Sequence, residues 1–313
     1  MPSWSGYAPW ANTVDACREE FVQVARRFWL IPELIPPLDR DDVGLLYCFC
    51  RRLDDAVDDA PSPEAARAAL EAWRDELHGA RPARPLIAAF VAGAARSGLP
   101  LRSAEHLLEG MAFDLGVVQL PDDDALVRYA YQVSSSVGLM LAPLLGVRGE
   151  EALWRVVDLG VGLQLSNVLL GVADDARRGR VYLPATRLAQ AGLRPEDVLG
   201  NPADARLRPV LRGLSALADR YYRSAELGSA TVPLRYRHGV LLLGRAYGTL
   251  GHRAAEGLAA PVTPSGLSKR ERVKHLVSLA AIAGHPRVLG LVAAPPHDAA
   301  LHRALAGLPG AHA

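Results

Sequence analysis

This chain of 313 residues is poor in the features that mark several large protein classes. It has three cysteines, and Cys48 and Cys50 stand in one predicted helix, so no disulfide framework can be built. Such thiols suit packing in a reducing compartment. The opening Met1-Pro-Ser-Trp-Ser-Gly-Tyr7 lacks a basic region followed by an apolar one, so no signal peptide is expected. The longest uncharged stretch, Tyr129 to Val147, is 19 residues long, close to a bilayer span. It contains Gln132, three serines and Pro143, which favours a buried core helix. Lys plus Arg number 35 against 34 Asp plus Glu, for a formal net charge of +1. With no zinc spacing and no interleaving of basic and aromatic residues, nucleic acid is not an expected partner. No glycine-rich strand-to-helix turn supports a nicotinamide site. No Ser/Gly-rich linker or internal repeat divides the chain.

What remains is a chain that is 50% hydrophobic, with apolar residues recurring mostly at helical period. Helices are expected near 13–30, 40–58, 63–78, 84–97, 103–117, 123–145, 150–176, 185–191, 203–227, 232–257 and 266–285. Asp122, Asp123 and Asp124 fit an N-cap and first turn, where negative charge suits the helix dipole. The expected organisation is an irregular segment over 1–12, one all-α domain over 13–290, and a tail over 291–313. The tail reads as a short amphipathic helix or as disordered chain. The expected location is the cytoplasm, with transient contact at a membrane surface left open.

The most informative segment is Tyr47-Cys-Phe-Cys-Arg51-Arg-Leu-Asp54-Asp55-Ala-Val-Asp58-Asp59. On a helix, Asp54 and Asp58 stand one turn apart on one face, as do Asp55 and Asp59. Like charges at that spacing repel, so something should compensate for them. A hard divalent cation is the natural candidate, because Mg²⁺ takes carboxylate oxygens and shares them with substrate phosphates. The plainer alternative is a solvated acidic helix end.

A second polar line lies far along the chain, from Gln164 to Pro184. At helical spacing of about 100° per residue, Gln164, Asn167, Gly171, Asp174 and Asp175 fall within a sector about 100° wide. Leu163 and Val168 flank that sector, and Leu169 and Val172 take the opposite side. Polar groups in so apolar a segment are costly to bury without partners. Arg177, Arg178 and Arg180 follow and can bind anions, with Gly179 giving the backbone room to turn. Two acidic helix faces and a basic loop suggest a diphosphate held through metal ions.

The ordered set of motifs resembles the squalene/phytoene synthase family of isoprenoid synthases, from about Val14 to Gly290. It comprises Tyr47-x-x-x-Arg51-x-x-Asp54-Asp55-x-x-Asp58, Glu109-Gly-Met-Ala-Phe-Asp114-Leu115 and Tyr131-Gln-Val-Ser-Ser-Ser-Val137-Gly138-Leu-Met140. Gln164-Leu-Ser-Asn167, Asp175 to Pro184, and Tyr221-Tyr222-x-x-Ala225 complete it. The resemblance implies an all-α, single-domain isoprenoid synthase bundle around a central cavity, with Mg²⁺ as cofactor and an allylic prenyl diphosphate as substrate. Asp54, Asp55 and Asp58 would be metal ligands from the first helix, and Asn167 and Asp175 from the second. Tyr47 and Arg51 match positions that help bind diphosphate, so Asp54, Asp58, Arg51 and Tyr47 form the expected catalytic set. Phe28, Val137, Gln164, Arg178, Arg180, Tyr182 and Tyr247 join Tyr47 and Arg51 as expected substrate-binding positions.

One departure matters. The family pattern carries aspartate where this chain has Gly171, so one expected ligand is missing, and Asp174 is the candidate substitute. The expected reaction is head-to-head condensation of two farnesyl or geranylgeranyl diphosphates to a squalene- or phytoene-type product. Two alternatives follow from Gly171: prenyl transfer from one donor to a small-molecule, non-isoprenoid acceptor such as an aromatic, or a family member without catalysis.

Overall fold

The computed structural model describes residues 9–27, 40–258 and 288–312, with 270, 273, 277 and 286 as isolated positions. Among the described residues there are twelve α-helices and no strand, only an isolated bridge between Gln119 and Val181. The first four helices are α1 (Ala11–Arg27), α2 (Arg40–Asp58), α3 (Pro63–Leu77) and α4 (Pro85–Ser97). Next come α5 (Leu101–Phe113), α6 (Asp123–Ala130), α7 (Ser136–Leu144) and α8 (Glu150–Arg177). The last four are α9 (Ala185–Gln190), α10 (Pro195–Gly200), α11 (Leu207–Leu227) and α12 (Leu234–Ala255).

Local chemistry accounts for many of these limits. The Ser62 hydroxyl accepts from the Ala65 N–H and Pro63 occupies the first turn, which starts α3. Asp122 Oδ1 accepts from the Ala125 N–H at 2.9 Å and starts α6, as the Asp122-Asp-Asp124 run suggests. Gly98, at φ +74°, ends α4 in the left-handed conformation that glycine adopts without strain.

The helix α2 shows how the fold sets up a site. Its Leu46, Phe49 and Leu53 are buried, and Phe49 is gripped between Trp73 of α3 (centroids 5.2 Å) and Phe90 of α4 (4.0 Å). That anchoring fixes the rotation of α2, so its acidic face is presented as a unit. Gly44 lets α1 come close: a β-carbon there would stand 3.0–3.1 Å from backbone atoms of Cys17 and Arg18. Cys17 and Cys48 are buried at this contact, in line with the packing role expected of the thiols.

α8 runs through the core, packed against α11, α12 and α7. It is the one described helix long and apolar enough to cross a membrane, and half of its most apolar window is buried inside the bundle. Its Gly160 is a point of contact: a β-carbon there would fall 2.5 Å from the Ser135 Cα. Tyr131–Ser135 is a π-helical turn between α6 and α7, so the single helix expected over 123–145 is interrupted. Ser135 is fully buried and donates to the Val157 carbonyl at 2.8 Å, and close helix packing is its role.

The carboxyl-terminal segment is tied into the body. Its 3₁₀ turn, Ala299–Leu305, buries Leu301, Ala304 and Leu305. The Tyr131 hydroxyl donates to the Pro309 carbonyl at 2.8 Å and that of Tyr221 to the Leu301 carbonyl at 2.7 Å. Asp158 on α8, wholly buried, accepts from His297 Nε2 at 3.0 Å and His302 Nε2 at 3.1 Å. The sequence offered no sign of this clasp, because Asp158 and His302 are 144 residues apart. Other departures are small: α5 stops at Phe113, α11 starts at Leu207, and the short α10 was not expected. Of the helix expected over 266–285, only positions 270, 273 and 277 are described, all helical.

Candidate active site

The first acidic segment and the basic loop meet, though they lie far apart in sequence, and Asp175 of the second segment stands close enough to Arg178 and Arg180 to feel their charge. A cleft of about 450 Å³ is lined by Arg51, Asp54, Asp55, Val57, Asp58 and Asp59 of α2 and its end, and by Arg178 and Arg180 beyond α8. Arg178 Nη1 stands 3.7 Å from Asp58 Oδ2 across it. On α2, Arg51 bridges to Asp55 at 2.8 Å, one turn on. Arg52 pairs with Glu20 of α1 and approaches Asp55 at 3.5 Å.

The electrostatics show how much negative charge is gathered here. Burial pushes the Asp54 carboxyl up to about 6, and Asp58, Asp55 and Asp114 push the same way against Arg51. Burial also lifts Asp175 to about 6, opposed by Arg180 and Arg178 and helped by Asp114 and Asp174. Asp114 is itself raised by burial, opposed by hydrogen bonds from Tyr182 and Tyr129 and by Arg180, with Asp58 adding to the rise. These cross-influences connect α2, the end of α5 and the end of α8 in one electrostatic neighbourhood. A set of carboxylate oxygen donors, with Asp54 and Asp175 raised chiefly by burial, fits a hard divalent cation such as Mg²⁺.

The remaining expected positions fall into groups. Asn167 Nδ2 donates to Gln164 Oε1 at 3.2 Å, so these two act as a unit on α8. The Asp175 carboxylate lies over Gly171, its Oδ2 2.6 Å from where a β-carbon at 171 would stand. Asp174 is exposed and pairs with Arg177; like Asn167 and Asp175 it lies outside the cleft lining. Tyr182 is buried below the cleft, its ring stacked on Tyr129 with centroids 4.9 Å apart. Tyr47 packs 6.0 Å from the Phe21 ring, outside the cleft lining, and burial raises its phenol. Val137 packs with the core cluster of α2 to α5. Tyr247 lies beside Tyr222, whose hydroxyl pairs with Ser166 at 2.9 Å, away from the acidic cleft. Phe28 lies outside the described residues.

Asp114 lies in the Glu109–Leu115 motif but outside the site residues expected from the sequence. It takes hydrogen bonds from Tyr129 at 3.0 Å and Tyr182 at 2.8 Å. Its five-residue spacing from Glu109 puts the two acids on different helix faces, so the sequence does not pair them. No sequence signal marks its place, because the helix is expected to run on to 117 and instead ends at Phe113, with Asp114 at its cap.

Comparison with known proteins bears on the family and the fold. Residues 21–276 match the family model described as squalene/phytoene synthase. A 15-cis-phytoene synthase from Paracoccus sp. is 36% identical over 257 residues, covering 79% of this chain and 84% of that protein. A phytoene synthase from Cereibacter sphaeroides is 34% identical over 271 residues, covering 83% of this chain and 76% of its own length. Among solved structures, a ligand-bound dehydrosqualene synthase superposes with a TM-score of 0.75 at 22% identity, covering 88% of this chain and 98% of the other. A squalene synthase from Alicyclobacillus acidocaldarius gives 0.69 at 22% identity, covering 80% and 94%. The fold is thus that of these terpenoid synthases.

Proposed function

We propose that this chain, which belongs to the squalene/phytoene synthase family and is a prenyltransferase, joins two allylic prenyl diphosphates head to head. The observation that carries this is the single cleft in which Asp54 and Asp58 face Arg178 and Arg180. A diphosphate bound there meets guanidinium groups on one side. On the other it meets carboxylates suited to sharing metal ions with it.

The chemistry follows from that arrangement. The C1–O bond of the first substrate breaks, and its electron pair leaves with pyrophosphate. Arg178 and Arg180 place fixed positive charge where that anion forms, which lowers the barrier to ionisation. Mg²⁺ held by Asp54, Asp58, Asn167 and Asp175 would add Lewis-acid stabilisation of the same leaving group. The allylic cation needs surroundings without a stray nucleophile, since water would quench it. A double bond of the second prenyl diphosphate then attacks C1. Loss of a proton closes a cyclopropylcarbinyl diphosphate, or a product rearranged from it.

Pyrophosphate release tests this reading. With Mg²⁺ and geranylgeranyl or farnesyl diphosphate alone, release should be sustained, and Asp54→Asn should abolish it. Release that appears only after an aromatic or other acceptor is added would replace condensation by acceptor prenylation. No release under either condition would point to a chain without catalysis.

A further inference from the structure

Asp114 caps the carboxyl-terminal end of α5, and each of its carboxylate oxygens takes one phenol. Tyr129 donates to Oδ2 at 3.0 Å and Tyr182 to Oδ1 at 2.8 Å. Both rings are buried and stacked on each other, so neither hydroxyl is spare surface chemistry. Tyr182 lies two residues beyond Arg180 and four beyond Arg178. The turn between them is also held by the Arg178–Asp58 ion pair at 3.7 Å and by backbone contacts. Arg180 N–H donates to the Asp175 carbonyl at 2.9 Å and Val181 N–H to the Val118 carbonyl at 3.4 Å, with Gly179 at φ +74° making the bend. The Tyr182–Asp114 bond is a tether with a charged acceptor, the stronger kind.

A carboxylate beside an anion site is a cost unless it does something there, since it repels the anion. An ionised carboxylate offers acceptors only, so it can receive both phenols at once. An amide has one oxygen and turns an NH₂ toward the other hydroxyl. We propose that Asp114 is a positioning residue: through Tyr182 it holds the Arg178–Arg180 turn against the acidic face of α2, at the height where both guanidiniums meet a diphosphate. This rests on the diphosphate reading of the cleft. Pulling on the turn through a buried phenol fixes side chains that Asp114 does not itself touch.

The test uses Asp114→Asn and Tyr182→Phe in the full chain, and the second keeps the ring stack intact should the first fold poorly. Inorganic pyrophosphate with Mg²⁺ is titrated by calorimetry, and amide exchange is followed over residues 178–183. Each variant should bind pyrophosphate about tenfold more weakly, the loss expected of one hydrogen bond to a charged group. The double variant should be no weaker than either single one, because both break the same connection. Arg180 and Val181 amides should exchange faster in each. Unchanged pyrophosphate affinity in Tyr182→Phe overturns the assignment, whether Asp114→Asn binds normally or not. A loss confined to Asp114→Asn would mean that its charge acts directly, on Arg180, metal or substrate. A parent chain that binds no pyrophosphate defeats the diphosphate reading itself, and this assignment with it.

Discussion

The Asp175 carboxylate rests on Gly171, with Oδ2 only 2.6 Å from the place a β-carbon at 171 would take. The residue that looked like a missing ligand is therefore also the space that Asp175 occupies. Any side chain at 171 must turn the Asp175 carboxylate to another rotamer, which is cheap because that group is the end of a flexible side chain. Gly171→Ala should accordingly stabilise the metal-free chain by up to about 1 kcal/mol, the helix preference of alanine over glycine. Urea unfolding measures this, and a clear loss of stability would mean that Asp175 cannot move.

Gly171→Asp adds a second carboxylate one turn from Asp175. Without metal, repulsion at that spacing should cancel part of the gain, about 0.2–0.5 kcal/mol. With Mg²⁺ the sign should reverse, and titration should show tighter Mg²⁺ binding than in the parent. Equal Mg²⁺ affinity would place residue 171 off the metal path.

The raised carboxyls give a pH signature. Asp54 and Asp175 titrate near 6 in the folded chain against an ordinary 3.8, so the folded state holds more protons than the unfolded state between those values. Stability of the metal-free chain should therefore fall as pH rises from about 4 to about 6 and level off above. Asp54→Asn should flatten part of that slope and raise stability at pH 7. Binding of Mg²⁺ with pyrophosphate at pH 6 should release protons, seen as a buffer-dependent heat in calorimetry.

The clasp on Asp158 yields a different expectation. The His312 N–H donates to His302 Nδ1 at 2.9 Å, so the His302 ring proton sits on Nε2 and points at Asp158. That leaves no lone pair on Nε2 for a metal, although Asp158, His297 and His302 have the composition of a metal site. A chelator should leave thermal unfolding of the substrate-free chain unchanged. His302→Ala should cost about 2 kcal/mol by removing a donor from a buried carboxylate. Hydrogen bonds from His297, His302 and Ser224 outweigh burial and hold Asp158 below its ordinary range. Its contribution is thus present at neutral pH and lost on acidification below about 4.

Much of this molecule is written locally. Runs such as Asp54-Asp55-Ala-Val-Asp58 and Asp122-Asp-Asp124 carry their own helix phase or cap, and the helices came out within a few residues of expectation. Arg178 and Asp58 could be expected to meet because both belong to charged motifs that need opposite charge. Asp114 and Tyr182 could not, since their bond depends on where α5 ends and how the chain leaves α8. The π turn at Tyr131–Ser135 was hidden for a related reason. It lies where Gly160 of α8 approaches Ser135, a contact between residues distant in sequence.

Condensation is tested most directly by mass spectrometry of an organic extract, after incubating the purified chain with Mg²⁺ and geranylgeranyl or farnesyl diphosphate as sole substrate. A hydrocarbon or diphosphate carrying two prenyl units, absent with Asp54→Asn, is the predicted result. Recovery of unchanged substrate, or of products with a single prenyl unit, would contradict head-to-head condensation.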